Sequence, residues 1–162
     1  MAEIVVVRGA CQVRVATGED SALETLGYTR NGADITLESM FLDVPGDQNG
    51  GDDGPPIDVQ YLGDIARVRL ELTKWDEAVA DKLLPRLRGG TAGTPGAPGT
   101  LMFQDSKSYR LLLNSASEPR NFLRTFPRMP IEMNAGTKFT TLVIEFECHE
   151  NENGILYNEI AV

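Results

Sequence analysis

Histidine, tryptophan and cysteine are almost missing from this chain: its 162 residues hold one His (His149), one Trp (Trp75) and two Cys (Cys11 and Cys148). The two cysteines lie far apart and in no metal-type spacing, which excludes a zinc-finger framework and a disulfide-dense scaffold. Free buried thiols, in a protein made in a reducing cytoplasm, are the expectation. The lone histidine sits in Glu147-Cys148-His149-Glu150. Neighbours along a strand point to opposite faces, so Cys148 and His149 cannot easily ligate one metal. A Ser/His/Asp triad would have to be built on that same histidine, and no nucleophile-elbow motif accompanies it. No catalytic residue, metal ligand or cofactor is expected, and the chain is not read as an enzyme.

Long apolar runs are also missing. No stretch approaches the ~18 to 20 residues of a membrane-spanning helix. Met1-Ala2-Glu3 opens acidic and the apolar run 4–7 is short, so no secretory signal is expected. Glycine is plentiful, yet no GxGxxG or Walker pattern joins a strand to a helix, which leaves nucleotide cradling without support. Positive charge is scarce: 15 Lys and Arg stand against 24 Asp and Glu, a net charge of −9. A surface that grips nucleic-acid phosphates needs clustered Lys and Arg. The acidic balance suits plain solubility, or a wall that nucleic acid slides past. Basic charge gathers in residues 107–138, as Lys107, Arg110, Arg120, Arg124, Arg128 and Lys138, and none follows Lys138. Glu145, Glu147, Glu150, Glu152 and Glu159 lie beyond it. Either the two sets neutralise each other within one subunit, or they meet head to tail between subunits.

What the chain does have is strand signal. Residues 4–7 are β-branched, and Cys11, Val13 and Val15 alternate with polar neighbours. Asn31-Gly32 is a tight-hairpin pair, so residues 26–29 and 33–44 are expected to pair across a turn. The segment 33–44 is long for a strand, and Met40, Phe41 and Leu42 run consecutively, which calls for a bend or burial on both sides. Residues 45–56 follow as an acidic, glycine-rich loop. Its Asp47, Gln48, Asn49, Asp52 and Asp53 do not keep a calcium-loop register: counted from Asp47, position six is Asp52 rather than Gly, and position twelve is Asp58 rather than Glu. The alternation of Ile57, Val59 and Tyr61, then Ala66, Val68, Leu70 and Leu72, is the clearest half-buried strand in the chain. Thr73-x-x-Asp76 is a weak capping box, and Trp75, Val79, Leu83 and Leu87 recur every four residues. A helix over about 76–84 is predicted, packing on a sheet through Trp75, Val79 and Leu83, with Pro85 limiting it. Residues 88–100 form a Gly/Pro/Thr spacer. Strands are expected again at 101–103, 109–113, 139–147 and 155–162, with a short one at 122–126 fenced by Pro127 and Pro130. Eight to ten short strands, one helix and no βαβ rhythm predict a single mainly β domain over residues 1–162. Its architecture is read as an antiparallel β-sandwich or barrel carrying one packed α-helix.

This order of features resembles the tail tube proteins of long-tailed bacteriophages and related virion structural proteins. The likeness lies in the long strand 33–44, the exposed loop, Pro56-Ile57-Asp58, a Leu62-Gly63 turn, the strand 66–72, the helix from Asp76 and the ending Phe139-Thr140-Thr141-Leu142-Val143-Ile144-Glu145-Phe146. The resemblance implies a structural virion protein whose β-sandwich subunits form stacked hexameric rings around a conduit for DNA ejection. It implies assembly in the host cytoplasm, with copies of itself and other tail or neck proteins as partners. Genomic DNA would pass without specific binding, and no membrane would be involved. Asp47, Gln48, Asn49, Asp52 and Asp53 would then be the contact between rings. A neck, tail-completion or capsid decoration protein is the alternative within virions. A monomeric ligand-binding β-sandwich is the alternative from another class.

Overall fold

A computed structural model describes residues 11–17, 22–46, 54–83, 101, 103, 108–115, 119–133 and 141–158. Among them are seven strands: β1 (Gln12–Thr17), β2 (Glu24–Val44), β3 (Asp58–Trp75), β4 (Tyr109–Asn114), β5 (Arg120–Met133), β6 (Leu142–His149) and β7 (Tyr157–Asn158). The strand order is β4-β1-β2-β3-β6-β5, every pairing is antiparallel, and β4 also pairs with β5. The sheet therefore closes on itself as a six-stranded barrel, and the two-residue β7 pairs with β5 at Asn121 and Phe122. Closure removes the free edges that an open sheet would present along these pairings.

Period-two patterning decides which side chains fill the barrel. Val13 and Val15, then Ala66, Val68, Leu70 and Leu72, then Leu111 and Leu113, then Leu142, Ile144, Phe146 and Cys148 all belong to one buried cluster. Removing such a side chain from water stabilises the fold by roughly 1.5–3 kcal/mol each. Two inward polar groups are satisfied locally: Thr125 Oγ1 donates to the Tyr109 carbonyl at 3.1 Å, and Thr29 Oγ1 accepts from the Cys11 amide at 3.2 Å.

Helix is sparse among the described residues. The one among the described residues, α1 (Glu77–Leu83), has seven residues. Asp76 caps it, its Oδ1 accepting from the Ala78 and Val79 amides at 2.9 and 3.4 Å. Thr73, the expected start of a capping box, lies in β3 and donates to the Tyr28 carbonyl instead.

The expected strand boundaries need four corrections. Asn31-Gly32 is no hairpin turn: β2 runs straight through it, because β3 pairs on both sides, Thr29 with Leu72 and Ala33 with Leu70. Residues 30–32 form a bulge, with Gly32 at φ +85° and its amide donating to Thr29 Oγ1. Likewise Leu62-Gly63 is a bulge within β3 rather than a turn. Pro127 and Pro130 do not fence β5. Past Thr125 that strand no longer pairs with β4, so a proline there costs no ladder bond on that side. Leu101 and Phe103 lie outside any strand. The consequence, among the described residues, is longer strands than expected, with 21 residues in β2 and 18 in β3. Residues 4–7, the spacer 88–100 and the loop 47–53 lie outside the described residues.

Candidate functional site

β2 and β3 are longer than the barrel needs. β1 pairs with β2 only between Glu24 and Tyr28, and β6 pairs with β3 only between Ile65 and Leu72. Past those limits the two strands continue together, Ser39 opposite Asp64 and Val44 opposite Asp58. Among the described residues nothing else pairs with this two-stranded arm. At ~3.3 Å per residue it extends about 20 Å.

The arm's composition is that of a buried strand pair, and its exposure is not. Met40, Phe41, Leu42, Ile57, Val59, Tyr61 and Leu62 on the arm, with Leu37 at its root where Ala66 still pairs with β6, are each 40–60% exposed. They are eight of the twelve large hydrophobics that the described residues leave exposed. Half of a large side chain's surface is roughly 100 Å², so the arm presents on the order of 800 Å² of apolar side-chain surface. Divided between two faces, it gives each about the few hundred Å² of the largest apolar patch on a soluble monomer, and it concentrates that surface on a single two-stranded element. The alternation of Ile57, Val59 and Tyr61 therefore marks a regular strand face but not a core face. A half-buried strand exists only from Ala66 onward.

Cross-strand pairing sorts the arm into two faces. Leu37 opposes Ala66, Phe41 opposes Tyr61 and Asp43 opposes Val59, which places Phe41, Val59 and Tyr61 on one side. The Phe41 and Tyr61 rings lie 5.7 Å apart, centre to centre. Met40 opposes Gly63 and Leu42 opposes Gln60 on the other side. Leu62 is the extra residue at the bulge, where Gly63 takes φ +129°. At the far end the Ile57 amide donates to the Val44 carbonyl at 3.0 Å, and Ile57 lies against Gly46, where any Cβ would collide with it. Asp47, Gln48, Asn49, Asp52 and Asp53, the residues assigned to inter-ring contact, lie outside the described residues. They connect the two strands at this tip.

Where the arm leaves the barrel, polar groups fasten it. Ser39 Oγ donates to Asp64 Oδ1 at 2.5 Å, and the Asp64 amide donates to Glu150 Oε1 at 2.9 Å. A hydrogen bond to Asp64, with the nearby charges of Asp64 and Glu150, pushes the Tyr61 phenol up to about 12. Hydrogen bonds from Ser39 and Tyr61 hold the Asp64 carboxyl below its ordinary range.

Trp75, Val79 and Leu83, singled out for helix packing, gather at the opposite end of β3. Val79 and Leu83 are buried in the same cluster as the barrel interior, and Trp75 packs partly buried against it. Cys11 and Cys148 are free and buried, and burial pushes both thiols upward, which leaves them protonated and unreactive.

His149 faces away from Cys148, as strand alternation requires. Its Nε2 lies 2.8 Å from Glu147 Oε1, and Arg128 also pairs with Glu147. Burial opposes the Glu147 charge, but the bonds to His149 and Arg128 outweigh it and hold the carboxyl below its ordinary value. The His149 ring is stacked on Phe126 and meets Phe103 edge-on. Arg124 pairs with Glu152 at 3.1 Å and Arg67 with Glu38 at 3.7 Å. Asp34, Arg69, Glu145 and Arg128 stand in register across four strands, alternating in sign. Arg124 and Arg128 of the basic stretch are thus matched by Glu152 and Glu147 of the acidic ending within the subunit. At these two pairs charge is matched within the subunit, and apolar surface is what the arm offers outward.

No protein-family model matches this chain, and no curated protein matches it.

Proposed function

We propose that this chain is a structural subunit that assembles with copies of itself, in the first place as a tail tube subunit of a long-tailed bacteriophage. One observation supports the assembly half: a barrel that is already closed extends a two-stranded arm whose exposed apolar surface, on the order of 800 Å² over its two faces, is ample for the apolar part of a standard protein interface. An isolated pair of strands is marginal in water, so an arm of this composition gains by being covered. The tube half rests on the resemblance in the order of features. In this reading α1 is the single packed helix of a tail-tube-like subunit. Hexameric rings stack, and Asp47, Gln48, Asn49, Asp52 and Asp53 at the arm's tip reach the next ring. DNA passes an acidic wall that does not hold it. Other tail or neck proteins would close the ends of the tube within the virion, after assembly in the host cytoplasm.

The test is direct. Purified full-length protein, followed by light scattering over a concentration series and by negative-stain microscopy, should give rings or filaments. A species that stays monomeric at every concentration would overturn self-assembly. Closed shells or isolated dimers would overturn the tube.

A further inference from the structure

We infer that residues 4–10 continue β1 as a strand along the outer edge of β2, completing the barrel wall beside residues 33–38 of the same chain. The inference is independent of the self-assembly reading, because it concerns how one subunit finishes its own wall.

Burial along β2 is lopsided. Ala33, Ile35 and Leu37 stand opposite Leu70, Val68 and Ala66 of β3, all three of which are fully buried. Yet Ala33 and Ile35 are only partly buried, and Leu37 is 53% exposed. β3 covers them from one side, and on the other side β1 pairs with β2 no further than Tyr28. Chain that can cover that other side leaves from the same point. The Thr29 amide donates to the Cys11 carbonyl at 3.0 Å, and the Cys11 amide donates to Thr29 Oγ1 at 3.2 Å. Antiparallel pairing carries the residues upstream of Cys11 along β2 towards Leu37. Ile4-Val5-Val6-Val7 is strand-forming sequence. A segment tethered beside an edge is at high effective concentration for it, which favours this segment over a second copy.

The register follows from the bulge. Between the pairs Thr29–Leu72 and Ala33–Leu70, residues 30–32 stand against Glu71 alone. Residues looped out of β2 leave both of its edges, so Ala10 matches Glu71 and Gly9 falls opposite Ala33. Arg8 then opposes Asp34, Val7 opposes Ile35, Val5 opposes Leu37 and Ile4 opposes Glu38. Three observations fit. Cys11, Val13 and Val15 are buried, and strand alternation turns Gly9, Val7 and Val5 to the same side. Arg8 extends the sign-alternating row of Asp34, Arg69, Glu145 and Arg128 to a fifth strand. Glu38 pairs with Ile65, which is the limit of the pairing between β3 and β6. Both outer strands thus stop at one level, and the arm begins there. The open edge of β2 is then confined to Ser39–Val44.

Paired cysteines in the full chain test it, because both native thiols are buried. Val6→Cys with Thr36→Cys joins outward positions that the register sets opposite each other. Mild oxidation should close a disulfide within one chain, read by mass as the loss of two free thiols in a species that runs as a monomer on a non-reducing gel. Its yield should exceed by about tenfold that of Val6→Cys with Met40→Cys, which lies out of register and beyond disulfide reach. Equal yields, or no cross-link in either folded variant, would overturn the inference. A cross-linked dimer would overturn it in favour of a second copy on that edge. Single charges give another readout. Val5→Asp and Val7→Asp each put a carboxylate against the core and should lower the melting temperature by about 5 °C or more. Val6→Asp, on the outward side, should shift it by less than about 2 °C. Equal shifts at the three positions would overturn the strand, and where Val7→Asp does not fold the cross-link decides.

Discussion

The main-chain amide of Asp64 donates to the carboxylate of Glu150 at 2.9 Å, one residue past the last pair between β3 and β6. A side chain thus supplies the acceptor that the next residue of a neighbouring strand would otherwise have supplied. The barrel stops at this bond and the arm begins.

Replacing Glu150 by Ala should therefore loosen the arm and leave the barrel intact. Hydrogen exchange should quicken at Asp64 and along residues 58–63, while amides of Val68 and Leu70 keep their protection. Glu150→Gln retains an acceptor oxygen and should lie close to wild type. Uniform loss of protection across β3 would show that Glu150 matters to the whole fold.

The same shoulder gives a pH dependence at the alkaline end. The Tyr61 phenol is raised from an ordinary 10.0 to about 12, so its tether to Asp64 is fully present below pH 10 and is lost as pH rises through about 12. Ultraviolet titration at the phenolate band should show late-ionising tyrosines, Tyr61 and the buried Tyr109, and Tyr61→Phe should remove one of them.

Core and arm should separate cleanly in mutational response. Phe146→Ala opens a cavity in the fully buried cluster and should destabilise the subunit by about 3–5 kcal/mol in denaturant unfolding. Phe41→Ala removes an exposed ring and should change subunit stability by less than about 0.5 kcal/mol while weakening assembly. Equal effects of the two on unfolding would place the arm in the folded core.

Glu147 should shape the acid limb of stability. Its folded-state acidity is greater than that of a free carboxyl, so its contribution is present above the ordinary value of 4.5 and is lost as pH falls through its lower folded value. Glu147→Gln should cost about 1 kcal/mol at neutral pH, a modest figure because Arg128 is largely in water. It should also flatten the loss of stability below pH 4.5, as read from melting temperatures.

Deleting residues 49–53 should leave a folded barrel that assembles poorly, since the deletion shortens only the connection at the arm's tip. Circular dichroism and light scattering separate the two effects. An unfolded deletion variant, or one that assembles normally, would remove the tip from the contact.

Much of this architecture is legible in the residues taken alone. Ala66, Val68, Leu70 and Leu72, with Leu142, Ile144 and Phe146, alternate cleanly, and a β-strand has only two sides, so their shared side follows at once. A helix beginning at about Asp76 is legible from the apolar stripe behind it, although its cap is Asp76 itself and not the expected Thr73. The alternation of Cys148 and His149 excludes a common ligand for the same geometric reason.

Three matters were decided only in three dimensions. Asn31-Gly32 and Leu62-Gly63 offer positive φ at low cost, and a turn and a bulge need that equally; which one forms depends on whether β3, or β2, continues alongside. Alternation places Ile57, Val59 and Tyr61 on one side without saying whether a core lies there, and burial depends on β6, which stops at His149. Closure into a barrel rests on β4 meeting β5 after β1 has already joined β4 to β2. Local chemistry determines the side a residue takes and the dihedral it tolerates. What stands on that side is set by strands far away in the chain, and at the arm that side is open.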